Sequence, residues 1–185
     1  MYTEYQIRQS FIEVLKQALH DMQVAGYVVI ARNQQTMTHD YDCVIVDKVN
    51  MHQNGMQSRR ILKYTDESGV KHFLKRQDWI ETWTWQISVS HRRQVNDTVN
   101  SITAEDVANR LRVWLDSIDG ADVMRNKALV PFAPFQVFDL RLRPYKDDSQ
   151  INQIEAMFDF KMNVVQFRDT PPTKVEGWDW DIHGV

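Results

Sequence analysis

Apolar residues recur at helical spacing over the first part of the chain. The positions that form this stripe are Ile7, Phe11, Val14, Leu15, Ala18, Leu19 and Met22. Spacings of three and four residues place them on one helix face, so the pattern predicts an amphipathic helix that packs on a sheet. Thr3 and Gln6 have the spacing of a capping box and predict where the helix begins. Gly26 is placed to end the helix or the turn after it.

The hydrophobic period changes after the first helix. Short β-branched or alternating runs predict strands at 27–31, 41–52, 59–65 and 70–76. The sequence "DESG" lies between the last two runs and has the composition of a hairpin turn. The sequence "NGMQS" at 54–58 also combines turn-forming residues, and we expect another turn there.

The segment "WIETWTWQISVSHRR", residues 79–93, alternates between large apolar and small polar side chains. Trp79, Trp83, Trp85, Ile87 and Val89 share one parity, interrupted only by Glu81. Threonine, glutamine and serine occupy the other parity over 82–90, so the segment predicts a strand with one buried face. Burial of each indole contributes about 2–3 kcal/mol, which anchors the sheet at this strand.

Two interpretations of this tryptophan strand remain open from the sequence. If its apolar face were open, the indoles would stack on nucleic-acid bases while nearby arginines bound phosphates. If the face were closed, it would form the core under the helices. We favour the core, because the apolar helix stripes need a sheet surface to cover.

A second helix and two further strands complete the pattern. Thr103 and Asp106 again have capping-box spacing, and "DG" at 119–120 is placed to close the helix. The predicted apolar stripe is Ala104, Val107, Ala108, Leu111, Leu115 and Ile118. The two last strands are predicted within 135–145 and 151–167.

These elements predict an α+β fold with one mostly antiparallel β-sheet. An N-terminal helix and a second helix pack on the sheet, and a long hairpin extends from it. We expect a single domain over 1–168 and an irregular C-terminal tail over 169–185. The expected core anchors are Trp83, Trp85, Leu111, Phe158 and Phe160.

Charge and cysteine content narrow the classes of function. The 185 residues have a formal net charge of -3, whereas a protein that coats DNA is normally basic. Cys43 is the one cysteine, so an internal disulfide is impossible and a reducing compartment is the simpler expectation. The sequence "MYTEYQIRQSF" does not have the pattern of a signal peptide. We therefore expect a soluble protein, made in a cytoplasm, with no membrane partner.

Candidate catalytic and metal-binding residues lack the spacing that such sites require. No two of the six histidines are three to five residues apart, so a zinc-type ligand pair is not visible. His39, Asp40 and Asp42 are more simply interpreted as a polar loop, and Cys43 as a small buried residue. A third possibility is a divalent ion held across neighbouring strands by Asp139, Glu155 and Asp159. We expect no catalytic residue, no metal and no cofactor.

A cationic stretch between residues 59 and 93 is the main surface candidate. It contains Arg59, Arg60, Lys75, Arg92 and Arg93 in a chain that is net acidic. The common explanation of such a stretch is a solvated face. The sharper hypothesis is that these five residues face a channel or a neighbouring subunit.

The order of these patterns resembles the neck and tail-terminator proteins of tailed bacteriophages. The resemblance rests on "YDCVIVDKV", on "TWTWQISVSHRR", on the helix "TAEDVANRLRVWLDS" and on the late strand "IEAMFDFKMNV". Ala104, Ala108, Leu111 and Leu115 match the helix pattern of that family. The resemblance covers roughly residues 3 to 168 and consists of residue classes rather than invariant chemistry.

The resemblance implies a virion protein that forms a ring, typically a hexamer, at the head-proximal end of the tail. Such a ring ends growth of the tube and joins tail to head, with DNA passing through its centre and no enzymatic step. The implied partners are further copies of the chain, the tail tube protein, neck or connector proteins and the sheath if there is one. A nucleic-acid-binding module using the tryptophan strand is the alternative, followed by a metal-dependent enzyme.

Overall fold

Helices and strands follow one another along the described chain in an α+β order. The computed structural model describes residues 1–31, 42–65, 67–69, 71–91, 102–146 and 152–170. Its elements are α1 (Glu4–Asp21), β1 (Val28–Ala31), β2 (Cys43–Thr65), β3 (Lys71–Ser90), α2 (Ala104–Leu115), α3 (Ile118–Asp122), a π-helical turn (Val123–Lys127), β4 (Phe132–Val137), β5 (Arg141–Lys146) and β6 (Asn152–Thr170). The α+β class predicted from the sequence is confirmed.

The strands form one sheet in the order β1-β2-β3-β6-β4. β5 pairs with residues 152–157 of β6, ahead of the segment of β6 that pairs with β4. β1 runs parallel to β2, while the pairs β2–β3, β3–β6, β4–β6 and β5–β6 are antiparallel. The long central strand β3 therefore has β2 on one side and β6 on the other. This arrangement confirms a mostly antiparallel sheet with a long hairpin.

The core lies between one face of this sheet and the two main helices. Phe11 of α1 is fully buried, and its ring stacks on Phe160 with the centroids 5.4 Å apart. The same ring lies 5.7 Å from the Trp85 ring and 5.9 Å from the Phe132 ring. Leu111 of α2 is also fully buried. The apolar stripes of the helices thus cover the face that carries the tryptophans.

Both main helices begin at the predicted capping boxes. The Thr3 hydroxyl accepts a hydrogen bond from the Gln6 amide at 3.2 Å, and the Gln6 side chain accepts one from the Thr3 amide at 2.9 Å. Thr103 and Asp106 make the same reciprocal pair at the start of α2. These bonds satisfy amides that have no partner within the helix, which is why the two boundaries were readable from the sequence.

The turn expected at "NGMQS" does not exist, and β2 continues through it. The strand passes an irregularity between Asn54 and Ser58, where Gly55 has a φ of +74°. Asn54 pairs with Ile80 and Ser58 with Asp78, so three residues of β2 lie opposite one residue of β3. A bulge uses the same permissive glycine as a turn, which explains why the composition was misleading.

A smaller bulge lies nearer the start of β2, at Val49. Lys48 pairs with Trp85 and Asn50 with Thr84, so Val49 has no residue opposite it. Because side chains alternate along a strand, one extra residue exchanges the parity that faces the core. Val44 and Val46 are buried before the bulge, whereas Met51 lies beyond it opposite Trp83.

Three boundaries near the C-terminal half differ from the prediction. The run predicted as one strand within 135–145 is divided into β4 and β5, which pair with successive parts of β6. β6 extends to Thr170, so the first two residues assigned to the tail belong to a strand, and 171–185 lie outside the described residues. The C-terminal boundary of α2 is the third difference.

The second helix ends earlier than its apolar period suggested. α2 ends at Leu115, and Ser117 caps the separate helix α3 by accepting a hydrogen bond from the Gly120 amide at 3.0 Å. Ile118, predicted to continue the buried stripe, is 88% exposed. Gly120 does not close α2: it is buried inside α3, where an added Cβ would lie 2.1 Å from the Trp114 carbonyl oxygen.

Candidate assembly surface

The distal parts of β2 and β3 form a hairpin arm, defined as residues 58–65 and 71–78. Pairing within the arm runs from Ser58 opposite Asp78 to Thr65 opposite Lys71. β6 adds a third strand as far as the pair of Lys75 with Thr170, and the arm continues beyond that point as two strands. Within the described part of the chain, the hydrophobic core contains no residue of this arm.

The arm concentrates positive charge in a chain that is otherwise acidic. Between residues 58 and 78 there are six lysines and arginines against three acidic residues, whereas the whole chain has a net charge of -3. Arg59, Arg60 and Lys75 are all exposed. Together with Arg76 they border an open groove of about 450 Å³. The arm is therefore a cationic surface of limited extent.

Acidic partners hold some of these cations in place. Arg76 donates two hydrogen bonds to Asp169 of β6, at 2.7 and 2.6 Å, and Arg60 contacts Asp78 at 2.8 Å. The contact with Arg76 holds the pKa of the Asp169 carboxyl below its ordinary value and raises the pKa of the Arg76 guanidinium. The Arg76 guanidinium also lies over the Phe167 ring, 4.6 Å from its centroid.

Large apolar side chains are exposed on the same arm. Ile61 is 66% exposed, Tyr64 47% and Phe73 40%. The pairing of Ile61 with Lys75 and of Lys63 with Phe73 places apolar and cationic side chains together on one face. A surface that combines apolar anchors with charged neighbours has the composition of a protein interface.

A buried polar cluster around Glu81 lies next to the base of the arm, at the edge of the covered part of the sheet. The Glu81 carboxylate accepts hydrogen bonds from the indole N–H groups of Trp79 and Trp83 and from the Gln166 amide, each at 3.0 Å. The Gln166 side chain in turn accepts a bond from the Tyr2 amide at 2.8 Å and donates one to the Tyr2 carbonyl at 3.1 Å. The cluster thus fixes the start of the chain against β3 and β6.

Glu81 is the residue whose role was missed in the sequence. It was treated as an interruption of the tryptophan pattern, although residues two apart on a strand share a face. Its position between Trp79 and Trp83 therefore placed a carboxylate within reach of two indole donors. That spacing is the signal from which the cluster could have been predicted.

The five cationic candidates are not brought to one place by the described structure. Arg59, Arg60 and Lys75 lie together on the arm. Arg92 and Arg93 lie outside the described residues, and His91 before them follows the opposite end of β3. Fifteen residues of strand separate Lys75 from Ser90, or about 50 Å. The described members of the predicted cationic stretch therefore lie on the arm, and its last two members stay a prediction.

The tryptophan strand is enclosed by the core. Trp85 is fully buried and Trp83 is 3% exposed, while Trp79 is half-buried. The remaining expected anchors, Phe158 and Phe160, are also fully buried. Rings buried to this extent have no free face for a base, so Trp83 and Trp85 do not form a stacking platform.

The acidic candidates for a divalent ion have cationic neighbours instead. Asp159 contacts Arg141 at 2.8 Å, and Asp139 contacts Arg112 at 3.3 Å. Within the described ranges, no group of three histidine, cysteine, aspartate or glutamate residues is placed to hold a metal. Cys43 is fully buried in β2, Asp42 lies 3.2 Å from His91, and His39 and Asp40 fall outside the described residues.

Comparison with known proteins identifies the family. The family model described as "E217 gateway protein gp29" matches residues 6–170, which include most of α1, the arm and β6. The chain belongs to this family. The membership confirms the resemblance to phage neck and tail-terminator proteins, and a virion is the location of such a structural protein.

Other comparisons add little to this assignment. One solved structure, described as the sheath/tube terminator of an extracellular contractile injection system, PVC, in its extended state, is 13% identical with a TM-score of 0.41. All of the present chain is covered in that comparison, and it spans 66% of the other chain. No curated protein matches the chain. No helix in the described residues is long and apolar enough to cross a membrane.

Proposed function

We propose that the chain forms a ring, with six subunits, at the head-proximal end of a phage tail. There it ends growth of the tail tube and joins the tail to the neck and head, and DNA passes through its centre. The observation that carries the proposal is the family match over residues 6–170, which extends across every element of the fold after the first turn of α1. The name gateway, given to the namesake of that family, suits a protein at this junction.

The proposed partners follow from this position. Further copies of the chain complete the ring, the tail tube protein lies below it, and neck or connector proteins lie above it. A sheath protein is a further partner if the tail is contractile. Genomic DNA passes close to the ring without base readout, since a wall that lets DNA slide needs only weak contact with phosphates.

We also propose that the role involves no chemical turnover. Support comes from Asp159 and Asp139, whose carboxylates contact arginines, and from Cys43, which lies in the core. Phage in which Asp42 or Cys43 is replaced by alanine should therefore still assemble tails, because no catalytic step depends on either residue. A metal bound stoichiometrically by purified protein, at ordinary ligand distances, would contradict this part of the proposal.

The position in the virion is tested by imaging labelled phage. A peptide tag on the chain, detected with gold-labelled antibody, should appear at a single position on each tail, at the end next to the head. Cells infected by phage lacking the protein should accumulate tubes of irregular length and heads without tails. Tails of normal length joined to heads in its absence would exclude a terminating role.

A further inference from the structure

The corner where α2 meets α3 carries the opposite charge to the arm. Residues 113–122 contain three aspartates and no lysine or arginine. Asp116, Asp119 and Asp122 are all exposed. We define this acidic corner as residues 113–122. It is a local excess of negative charge built on the ends of two helices.

The acidic corner also exposes the most solvent-accessible large apolar side chain of the described residues. Ile118 is 88% exposed and Val113 60%. Gly120 lies so close to the Trp114 carbonyl that an added Cβ would be 2.1 Å from its oxygen, so α3 packs directly against the end of α2. Exposed isoleucine and valine beside carboxylates need a partner that is apolar and cationic.

We propose that the arm of one subunit binds the acidic corner of a second copy of the same chain. The arm supplies Ile61 and Phe73 as apolar anchors, with Arg59 and Lys75 as cations. The corner supplies the complementary Ile118 and its aspartates. The inference rests on the proposed ring and specifies which surfaces close it.

The charges decide how the copies are related. A two-fold contact of arm with arm, or of corner with corner, places like charges opposite each other and is disfavoured. A contact between arm and corner joins two different surfaces, and repetition of such a head-to-tail contact generates a ring when the rotation closes. The charges thus favour pairing of arm with corner, and the proposed ring is the case in which each subunit gives its arm to one neighbour and its corner to the other.

Protein is a better match to the arm than nucleic acid. A surface that binds DNA through phosphates consists mainly of cations with polar neighbours. On the arm, Arg60 and Arg76 already contact Asp78 and Asp169, and Ile61, which is 66% exposed, is paired with Lys75. The exposed apolar area gains by contact with another protein rather than with phosphates.

Charge reversal on each surface tests the contact in the full chain. The arm variant carries Arg59→Glu and Lys75→Glu, and the corner variant carries Asp116→Lys and Asp119→Lys. A matched control carries Glu13→Lys and Asp21→Lys on the exposed side of α1. Sedimentation and light scattering then give the assembled mass against concentration, and circular dichroism shows that each variant is folded.

Each single-surface variant should raise the concentration needed for assembly by at least about tenfold, and the control should leave it unchanged. Added salt should weaken assembly of the parent chain in the same direction. The two variants mixed together should assemble again, because every reversed arm then meets a reversed corner. The mixed assemblies should contain both chains in equal numbers.

Three results would overturn the inference. One is assembly of the arm or corner variant at the parent's concentrations. Another is failure of the folded variants to assemble when mixed. The third is an arm variant that loses retention of duplex DNA while its assembled mass is unchanged, because the arm would then be a phosphate-binding surface. A parent chain that stays monomeric, both alone and in the presence of tail tubes, would contradict the proposed ring as well as the contact between arm and corner. A parent that forms a ring while the variants assemble as it does would contradict only the contact.

Discussion

The strands β2 and β3 lie in two different environments along their length. Near their paired ends, Val44, Val46, Ile87 and Val89 are buried at 1% exposure or less. On the arm, the same two strands expose Ile61 at 66%. Apart from the two bulges, β2 and β3 stay paired through both regions, so strand pairing alone does not distinguish the regions. The two regions differ in whether α1 and α2 cover them.

The comparison separates the source of stability from the surface available for binding. Burial of apolar side chains under the helices stabilises the covered region, since each large side chain contributes about 1.5–3 kcal/mol. The arm depends on strand pairing, and a two-stranded hairpin is marginal without support. β6 supplies that support as far as Thr170. Substitutions should therefore affect folding in one region and association in the other.

The largest loss of stability is expected from Trp83→Ala. Trp83 is 3% exposed, stacks on Trp85 at a centroid distance of 5.8 Å and donates to Glu81. Its removal should lower the free energy of unfolding by about 3–5 kcal/mol and reduce the soluble yield. Urea denaturation followed by circular dichroism measures the change. Stability equal to that of the parent would show that the covered region is not the source of stability.

A smaller loss is expected from Glu81→Ala, at the boundary of the two regions. The substitution leaves the Trp79, Trp83 and Gln166 donors without their shared acceptor. Burial of unpaired donors should lower the free energy of unfolding by about 2 kcal/mol. Glu13→Ala, at an exposed carboxylate of α1, is the matched control and should have little effect. Equal effects from the two changes would show that the cluster does not hold the arm to the core.

Loss of a helix cap should cost less again. Thr103→Ala removes the hydroxyl that accepts a bond from the Asp106 amide. The expected decrease is about 1 kcal/mol, measured by the same denaturation experiment. No change would mean that packing alone fixes the start of α2.

The Asp106 carboxyl adds a dependence on pH to that cap. Its pKa is lowered mainly by the hydrogen bond from the Thr103 backbone amide. A carboxyl with a lowered pKa stabilises the fold above the unfolded pKa, about 4, and loses this contribution as pH falls through the folded value. Asp106→Asn should therefore be less stable than the parent at pH 7 and lose less stability between pH 5 and pH 3. If the stabilities of the parent and of Asp106→Asn changed in parallel with pH, the Asp106 carboxyl would not be the source of the pH dependence.

The smallest effect on folding is expected on the arm. Phe73 is 40% exposed and lies outside the core cluster. Phe73→Ala should change the free energy of unfolding by no more than about 0.5 kcal/mol, a typical value for surface substitutions. A loss comparable to that of Trp83→Ala would remove the distinction between the two regions.

The parts of the fold that were predictable share a strong local signal. The stripe through Phe11 and the capping box at Thr3 identified α1, because periodicity and cap spacing act within a few residues. The alternation at Trp83 and Trp85 identified the buried face of β3 for the same reason. The position of the core was predictable from these two signals, since the apolar face of β3 was the surface that the helix stripes could cover.

The rest depended on tertiary context that local patterns do not contain. Gly55 occupies a positive φ in a bulge as readily as in a turn, so the continuity of β2 was not readable. Ile118 fits the α2 period, but the Ser117 cap starts a new helix before it. Lys75 and Ser90 belong to one strand, yet about 50 Å of extended chain lies between them, so nearness in sequence does not give nearness in space. In the Glu81 cluster, the two tryptophan donors are local, but the Gln166 donor lies 85 residues away and was not readable from the sequence.

The bulge at Val49 has a consequence for how the protein tolerates change in length. With this extra residue, Arg59, Ile61 and Lys63 lie on the side of the hairpin that carries Phe73 and Lys75. Because Lys48 and Asn50 pair with successive residues of β3, deleting Val49 would remove the bulge and leave every later pair, and the face of every later side chain, unchanged. The bulge before Ser58 holds two extra residues of β2, so the alternation of side chains between the two faces is the same on both sides of it. A change of one residue in the length of β2 should therefore be tolerated where a bulge absorbs it, without reversing the faces of the arm.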